Sequence, residues 1–336
     1  MSRRNDRPSI ESVAVAAGVS PTTVSHALSG KRAVSAATRE RVMQAVETMN
    51  YRPNMVARGL RSRRTQTVAL LLVDVANPYY PAVARAIHDV LAGEDYVSFI
   101  GNTDGDAATE RRLLEEMVAR GVDGVVMQPV ALSAAEVREV VGPEMPLVIT
   151  TDEYRDIPAD SVLTDDVLGL REAVSHLVEQ GTRELGFIGG PLVGTREIFR
   201  LGAFRAAIAA ASVEVPDRWI GHAPFTREGG FAVASRLLSA HDRPRAVLCA
   251  NDLIAIGALQ AAQAAGLRVP KDIAIVGFDD IETAALVSPR LTTVVNPASE
   301  VGEACGRTIL WRVESGPDAP YRRTVLPTRL VVRESA

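Results

Sequence analysis

The chain has 336 residues, 47% of them hydrophobic and 23% charged, so it can bury a substantial core and is long enough for two or three domains. Its formal net charge of −4, taken alone, argues against a nucleic-acid-binding protein. The charge is unevenly distributed, however: residues 1–64 carry 12 Lys or Arg against 4 Asp or Glu, whereas residues 65–336 carry 25 against 37. A basic segment on an acidic remainder predicts a region that binds a polyanion.

The composition also argues against a secreted, membrane-bound or metal-dependent protein. The amino terminus is polar, and no run approaches the roughly 20 apolar residues that a membrane span needs. Cys249 and Cys305 are the two cysteines, and each lies in an apolar stretch that is typical of a core and not of a disulfide framework. The five histidines are scattered and lack the spacing of a zinc site. We therefore expect a cytoplasmic protein with no metal and no cofactor.

The first predicted elements are three short helices, over Ile10 to Ala17, Pro21 to Leu28 and Ala36 to Met49. Pro53 ends this region, because it biases the residue before it away from helical geometry. We assign residues 1–53 to a small helical domain, called the head below. A basic linker follows it, and residues 54–65 are assigned to a hinge.

The spacing of small and apolar residues in the head predicts a helix-turn-helix. Ala14 allows close helix approach, Gly18 suits a turn that a Cβ would oppose, and Val24 places the second helix in the core. Ser20 and Pro21 start that helix well, as N-cap and first helical residue.

Polar side chains on the second helix could bond base edges or phosphates in a major groove. The alternative is a three-helix bundle with an ordinary polar face, which the local excess of positive charge opposes. The DNA-binding residues predicted here are Ser20, Pro21, Thr22, Thr23, Ser25 and His26.

From Val68 onward, apolar runs of strand length alternate with helical stretches, which favours parallel sheets covered on both faces. The predicted strands are Val68 to Val75, Tyr96 to Gly101, Val122 to Met127, Leu147 to Thr150, Leu185 to Gly189, Ala246 to Ala250 and Ile273 to Phe278. The clearest helices are Leu168 to Gln180, Glu197 to Ala211, Arg227 to Ala240 and Leu253 to Ala265.

Residues 66–336, called the core below, are longer than one doubly wound sheet needs, so we expect two sheets in two lobes. Crossings between lobes are predicted near Asp165, near Asn296 and close to the carboxyl terminus. The N-lobe would comprise about 66–165 plus 296–325, and the C-lobe about 166–295 plus the carboxyl-terminal strand.

The head and hinge resemble the corresponding region of the lactose-repressor (LacI/GalR) family of bacterial regulators. The matching residues are Val13-Ala14-x3-Gly18-Val19-Ser20-x2-Thr23-Val24-Ser25, Val34-Ser35-x2-Thr38-Arg39 and Asn50-Tyr51-x-Pro53-Asn54-x2-Ala57-x2-Leu60. One departure is His26, which stands where many members carry Arg, so the usual bidentate recognition of guanine cannot be assumed.

For the hinge, the resemblance implies a short helix that forms on DNA and places Leu60 of each subunit in the minor groove. A helix this short is marginal in water, and Gly59 weakens it further. The alternative for Leu60 is packing against the core. The hinge residues implied to contact DNA are Asn54, Ala57, Arg58, Leu60 and Arg61.

The core is similar to the family's two-lobed core, which is related to periplasmic sugar-binding proteins. The fold class expected is therefore an all-α helix-turn-helix domain plus an α/β two-lobed periplasmic-binding-protein-like core of two doubly wound parallel sheets. Polar residues at the carboxyl ends of such strands collect ligands. The effector-binding residues implied by the resemblance are Asn77, Tyr79, Tyr80, Asp152, Arg200, Phe225, Asn251, Asp279 and Asn296.

Several of these residues have a structural alternative. Asn251 or Asp280 could be a helix N-cap, Arg200 could be in a surface ion pair, and Asn77-Pro78 could be only a turn. The family often places an Asp five residues after the Pro of Met145-Pro146, where this chain has a Thr followed by Asp152. We therefore expect this loop to present its carboxylate differently from the family pattern.

Catalytic signatures are missing from the sequence: it has no Gly-x-Ser-x-Gly elbow, no Walker sequence and no His-Glu-x-x-His. A transport-type binding protein is the other alternative, which the basic head opposes. We expect a repressor that works as a homodimer on a pseudo-palindromic operator. The resemblance implies that it responds to a small molecule, a sugar, that acts as an inducer and not as a corepressor.

Overall fold

The computed structural model describes residues 8–30, 32–52, 64–151, 157–193, 196–197 and 200–336. The described residues divide into two compact units, within residues 1–65 and 66–336. The predicted site residues Asn54, Ala57, Arg58, Leu60, Arg61 and Asp152 lie outside the described residues.

The head consists of three helices, α1 (Ile10–Ala17), α2 (Pro21–Ser29) and α3 (Ala36–Thr48). A serine side chain caps the amino end of each helix by accepting a backbone N–H, which satisfies a group that has no partner within the helix. Val13, Val24 and Val42, one from each helix, are fully buried and form the centre of the small core.

The core is built on two six-stranded sheets. The N-lobe strands are β1 (Thr67–Leu72), β2 (Val97–Asn102), β3 (Gly124–Met127), β4 (Leu147–Ile149), β5 (Asp160–Asp165) and β13 (Arg323–Pro327). The C-lobe strands are β6 (Leu185–Gly189), β9 (Ile220–His222), β10 (Ala246–Cys249), β11 (Ala274–Asp279), β12 (Thr292–Val295) and β14 (Arg329–Val331). Two short strands, β7 (Leu192–Val193) and β8 (Arg196–Glu197), form a separate hairpin.

The strand order is β13-β5-β4-β3-β1-β2 in the N-lobe and β14-β12-β11-β10-β6-β9 in the C-lobe. Every pair in these two sheets is parallel except β12 with β14. The N-lobe helices are α4 (Tyr79–Ala92), α5 (Ala107–Ala119), α6 (Ala134–Val141) and α11 (Ala298–Ser315). The C-lobe helices are α7 (Asp166–Glu179), α8 (Leu201–Ala210), α9 (Arg227–Ser239) and α10 (Asp252–Ala264).

Helices cover both faces of the N-lobe sheet, as the continuous apolar strands predict. Val68 and Leu70 pack against α4 and α11, whereas Ala69 and Leu71 pack against α5 and α6. This alternation follows from the two-residue repeat of a strand, which sends neighbouring side chains to opposite faces. The predicted fold class, a helical domain plus two doubly wound parallel sheets, is confirmed.

The chain passes between the lobes three times. It leaves the N-lobe sheet at Asp165, the end of β5, returns at Asn296 between β12 and α11, and crosses once more at Thr328 between β13 and β14. The first two crossings carry polar residues that belong to the site described below. In the described part of the chain, no helix is both long and apolar enough to span a membrane.

The largest error among the predicted boundaries is the start of one helix. The helix predicted from Glu197 begins at Leu201, because Glu197 belongs to strand β8 and Arg200 has a left-handed backbone with φ of 62°. Helical periodicity extends through Glu197, but a left-handed residue cannot continue a right-handed helix. The consequence is that Arg200 stands immediately before the helix.

Candidate DNA-binding and effector sites

The turn between α1 and α2 has the geometry that the sequence predicts. Gly18 is left-handed with φ of 64°, and its N–H bonds to carbonyls of the last turn of α1. The Ser20 hydroxyl accepts the Thr23 N–H at 3.2 Å, and Pro21 takes the first position of α2. These contacts fix the direction in which α2 leaves the turn, and hence the surface that it presents.

The predicted DNA-binding side chains of α2 divide into two groups. Ser20, Pro21 and Thr22 are exposed, whereas Thr23, Ser25 and His26 are half-buried. The Thr23 hydroxyl lies 2.9 Å from that of Ser20, so this pair already shares a hydrogen bond within the head. Thr22 therefore stands out as an exposed hydroxyl at the amino end of α2, the end from which such helices contact bases.

Four arginines surround this helical unit, and all of them are exposed: Arg32, Arg39, Arg41 and Arg52. Among the described residues, none of the four has a carboxylate within ion-pair distance. Unpaired guanidinium groups on a compact helical surface are suited to phosphate oxygens, which supply most of the affinity of a protein for DNA.

In the core, the predicted effector residues lie at the carboxyl ends of strands, where open α/β sheets bind ligands. Asn77 and Tyr79 follow β1, and Asn251 follows β10. Asp279 is the last residue of β11, and Asn296 comes directly after β12. The two sheets thus contribute polar side chains at their carboxyl edges.

Arg200 is the centre of a buried polar cluster. Its Nε donates to Asp166 Oδ2 at 3.1 Å, one terminal nitrogen donates to Asp279 Oδ1 at 3.1 Å, and the other bonds to the carbonyl of Ala250. Its guanidinium also lies 3.6 Å from the centre of the Phe278 ring. The side chain is only 12% exposed, so the alternative of a surface ion pair is wrong.

A hydrogen-bonded chain links this cluster to the N-lobe. Tyr79, on α4, donates from its hydroxyl to Asn296 Oδ1 at 3.2 Å. Asn296 in turn donates from Nδ2 to Asp279 Oδ1 at 3.1 Å. Asn296 lies where the polypeptide crosses between the lobes. The two hydrogen bonds therefore connect Tyr79 of the N-lobe, through this crossing segment, to Asp279 of the C-lobe.

The environment changes the acidity of these groups. Burial raises the pKa of Asp279, although Arg200 and the Asn296 hydrogen bond oppose the shift. Burial, together with the charge of Asp279, raises the pKa of the Tyr79 hydroxyl well above its usual value. Tyr79 is therefore a hydrogen-bond donor at any physiological pH.

The remaining predicted effector residues serve the frame of the site. Asn77 accepts the Tyr79 N–H at 3.1 Å and so forms the turn named as its alternative. Asn251 accepts the Ile254 N–H at 2.8 Å, which makes it the N-cap of α10, while its buried Nδ2 donates to no described residue. Tyr80 packs edge to face on Tyr79, with ring centroids 5.4 Å apart.

Phe225 and Asp280 also have identified surroundings. Phe225 lies against the backbone at the carboxyl end of β6, where a Cβ on Gly190 would come within 2.2 Å of its ring. Asp280 bonds to Arg333 at 2.6 Å and caps no helix, so that alternative is wrong.

Sequence reasoning did not include Asp166 or Phe278 among the site residues, although both contact Arg200. Asp166 is the second residue of an acidic pair at the end of β5, whose first member, Asp165, caps α7. The signal that could have found it is an acidic residue at the carboxyl end of a strand, just where the chain changes lobes.

Two family profiles match the chain. Residues 9–54 match the family described as bacterial regulatory proteins, lacI family, and residues 174–336 match the periplasmic binding protein-like domain.

Relatives and solved structures cover nearly the whole chain. A ribose operon repressor of Haemophilus influenzae is 35% identical, and the alignment covers 97% of this chain and 98% of that protein. The HTH-type transcriptional repressor PurR of Escherichia coli is 33% identical, with 97% of this chain and 96% of that protein covered. The lac repressor dimer bound to operator and the anti-inducer ONPF has a TM-score of 0.87 at 25% identity, with 98% of this chain and 99% of that chain covered.

Proposed function

The chain belongs to the lacI family of bacterial regulatory proteins, and on that premise we propose that an uncharged sugar bound at the Arg200 cluster controls its affinity for operator DNA. As a member of this family it is a DNA-binding transcriptional repressor and not an enzyme. The observation that carries the proposal is the buried group of donors and acceptors around Arg200 at the carboxyl edge of the C-lobe sheet. We infer that the protein acts in the bacterial cytoplasm, where operator DNA lies.

The chemistry of the cluster favours a polyol. Arg200 supplies N–H donors, Asp166 and Asp279 supply acceptors, and Asn296 supplies both, which matches adjacent hydroxyls that donate and accept. The rings of Tyr79 and Phe225 offer flat apolar faces for the C–H side of a sugar.

The charge of the cluster favours an uncharged ligand. Two carboxylates, Asp166 and Asp279, surround the single guanidinium of Arg200, so the group as a whole carries excess negative charge. A phosphorylated sugar or a sugar acid would meet repulsion in a site of low dielectric, where charge interactions are strong. Ribose is the first candidate, because a related repressor is named for the ribose operon.

The link from Tyr79 through Asn296 to Asp279 supports control of DNA binding by this site. A ligand that bonds to Asp279 or Asn296 competes with contacts that hold the two lobes at this crossing. We infer that the sugar favours a different lobe arrangement, with a coupling free energy of roughly 1 to 3 kcal/mol between effector and operator. The sugar then acts as an inducer, which releases the operator.

The edge strand β2 supports a homodimer. Val97 and Ile100 are more than half exposed, and Phe99 is 41% exposed. Exposed apolar side chains on the edge strand of a sheet promote association with another protein surface. A second copy that packs on this edge would bury them, and a two-fold dimer would read the two halves of a pseudo-palindromic operator.

The test is operator binding by the full-length protein, measured by fluorescence anisotropy with and without D-ribose, D-ribose 5-phosphate and free nucleobases. The expected result is that ribose weakens operator binding and that its phosphate has no effect. A compound that tightens operator binding would instead make the effector a corepressor. If no sugar alters the affinity for DNA, the proposed effector is wrong.

Phe99→Glu tests the dimer. The variant should sediment as a monomer and should lose specific operator affinity, because a monomer contacts only one half-site. A dimeric Phe99→Glu protein would exclude β2 from the interface.

A further inference from the structure

A third carboxylate, Asp252, bonds to residues close to Asp279 in the chain and in the sheet, but it makes no hydrogen bond with Arg200. It is fully buried at the start of α10, directly after Asn251. Its Oδ2 accepts the backbone N–H of Ile281 at 2.8 Å, and its Oδ1 accepts the Thr293 hydroxyl at 2.5 Å. Both partners belong to other segments of the C-lobe, so Asp252 ties α10 to the end of β11 and to β12.

The segment that Asp252 holds has unusual backbone geometry. Asp279 and Asp280 both have positive φ, 110° and 56°, in the region that residues with a Cβ rarely adopt. Backbone of this kind persists only where the surrounding structure imposes it, and it occurs most often at functional sites. Here it directs the Asp279 carboxylate toward Arg200 and Asn296.

Besides the bonds of the Asp279 carboxylate to Arg200 and Asn296, two contacts hold the residues that follow Asp279. Asp252 accepts the N–H of Ile281, the residue that follows the turn. Within the turn, Arg333 donates to the Asp280 carboxylate at 2.6 Å and also to the Leu291 carbonyl at 2.8 Å. Of the two, only the Asp252 contact is fully buried.

Gly277 shows that the backbone makes room for this carboxylate. A Cβ at Gly277 would lie 2.1 Å from Asp252 Oδ1, well inside contact distance. Strand β11 therefore lacks a side chain at the point where the Asp252 carboxylate passes.

We propose that Asp252 is a positioning residue for the effector site: by holding Ile281 and Thr293 it fixes the Asp279–Asp280 turn, and so the direction of the carboxylate that binds the sugar. The inference rests on the proposed function for its ligand. It goes beyond that proposal because it assigns effector affinity to a residue that the sugar does not touch.

A role in helix stability alone would be the simpler explanation, since an acidic residue in the first turn favours a helix. The contacts argue otherwise, because Asn251 already caps α10 and both Asp252 oxygens bond outside the helix.

The experiment compares D-ribose binding by the full-length wild type, Asp252→Ala and Asp252→Asn. Asp252→Ala should weaken binding by about 10- to 100-fold, the range for two lost buried hydrogen bonds. Asp252→Asn should remain within about threefold, because its amide oxygen accepts the Ile281 N–H and its NH₂ donates to the Thr293 hydroxyl. Asp272→Ala is the matched control, since this aspartate also belongs to the C-lobe but pairs with Arg268 on the surface, and it should bind ribose as the wild type does.

A double-mutant cycle separates positioning from general stability. If Asp252 acts through Asp279, the Asp252→Ala/Asp279→Ala protein binds ribose no more weakly than Asp279→Ala alone. The proposal would be overturned if the ribose affinity of the double variant fell by the product of the two single-variant factors. Wild-type ribose affinity in Asp252→Ala would overturn it as well. Gly277→Ala, which displaces the carboxylate without removing it, should reproduce the loss if Asp252→Ala does not fold.

Hydrogen exchange of the free protein distinguishes failure of this inference from failure of the proposed function. Even if the wild type binds no ribose, the Ile281 amide, which bonds to Asp252, should exchange at least about tenfold faster in Asp252→Ala than in the wild type and in Asp272→Ala. Equal exchange in all three proteins would overturn the inference.

Discussion

Arginine side chains have different surroundings in the head and in the core. In the described part of the head, Arg32, Arg39, Arg41 and Arg52 are exposed and have no carboxylate partner among the described residues. On the core surface many arginines are paired with an acidic residue on the same helix or on a neighbouring segment. Such pairs are Arg85 with Asp89, Arg112 with Glu116, Arg268 with Asp272, Arg290 with Glu334 and Arg307 with Glu303.

The contrast explains how a chain of net negative charge can bind DNA. The free charges of the head are available to phosphates, whereas carboxylates neutralise many of those on the core, which is acidic as a whole. Arg200 is a third case, because its charge is buried between two carboxylates in the cluster that we propose as the effector site.

The largest expected effect is the dependence of operator binding on salt. If the head and hinge contact 6 to 10 phosphates, the affinity should fall by about 10³- to 10⁵-fold between 50 and 200 mM salt. Binding titrations at several salt concentrations measure this slope. An affinity that ignores salt would contradict the role of the unpaired arginines.

Next in size is the loss of the buried arginine. Arg200→Met should destabilise the core by about 3 to 5 kcal/mol, because it leaves Asp279 buried without its partner. Urea unfolding measures the loss, which should shrink as the pH falls, since a protonated Asp279 needs no counter-charge.

Arg218→Met is the control for that measurement. Arg218 and its partner Asp242 are both more than half exposed, so breaking the pair should cost at most about 1 kcal/mol. If Arg200→Met and Arg218→Met lowered the free energy of unfolding by the same amount, buried and surface arginines would not differ in their contribution to stability.

A smaller effect is expected for a substitution in the hinge, residues 54–65, which is assigned from the sequence. Leu60→Ala should cost roughly 1 to 3 kcal/mol of specific operator binding, comparable with one mismatched base pair. Binding to random DNA should change little, because phosphate contacts carry it. Equal loss on both DNAs would mean that Leu60 does not act in the minor groove.

The smallest effect concerns the surface pairs of the core. Glu116→Gln frees Arg112 and should cost only about 0.3 to 0.5 kcal/mol of stability, as for other helical pairs at this spacing. Affinity for random DNA should rise slightly, and more so when Glu303→Gln also frees Arg307. Unchanged or weaker binding would show that neutralisation on the core does not restrict DNA contact to the head.

Much of the fold could be predicted because its signals are local. The serine caps, the left-handed Gly18 and the apolar spacing of the head act within a few residues of each other, and helix α1 has the predicted bounds, Ile10–Ala17. The apolar strands of the core are equally visible, since a strand buried on both faces needs a continuous apolar run. Strand β5 was not predicted, because Asp160–Asp165 is polar at both ends and is held by its neighbours β4 and β13.

The site could be predicted only in part. The resemblance named its strand-end residues, which stay predictions as effector contacts, but the start of α8 was misplaced because nothing local marks Arg200 as left-handed. Its backbone is held by bonds from its side chain to Asp166, Ala250 and Asp279.

By itself, the sequence determined the helix-turn-helix, the two parallel sheets and the separation of charge between head and core. Each of these depends on composition or on contacts between near neighbours. Only the tertiary structure decided which carboxylates meet Arg200, that Tyr79 reaches Asn296, and that Asp252 supports the Asp279 turn. These partners are far apart in the chain, so their meeting depends on sheet order and on the crossings between lobes, which no local pattern encodes.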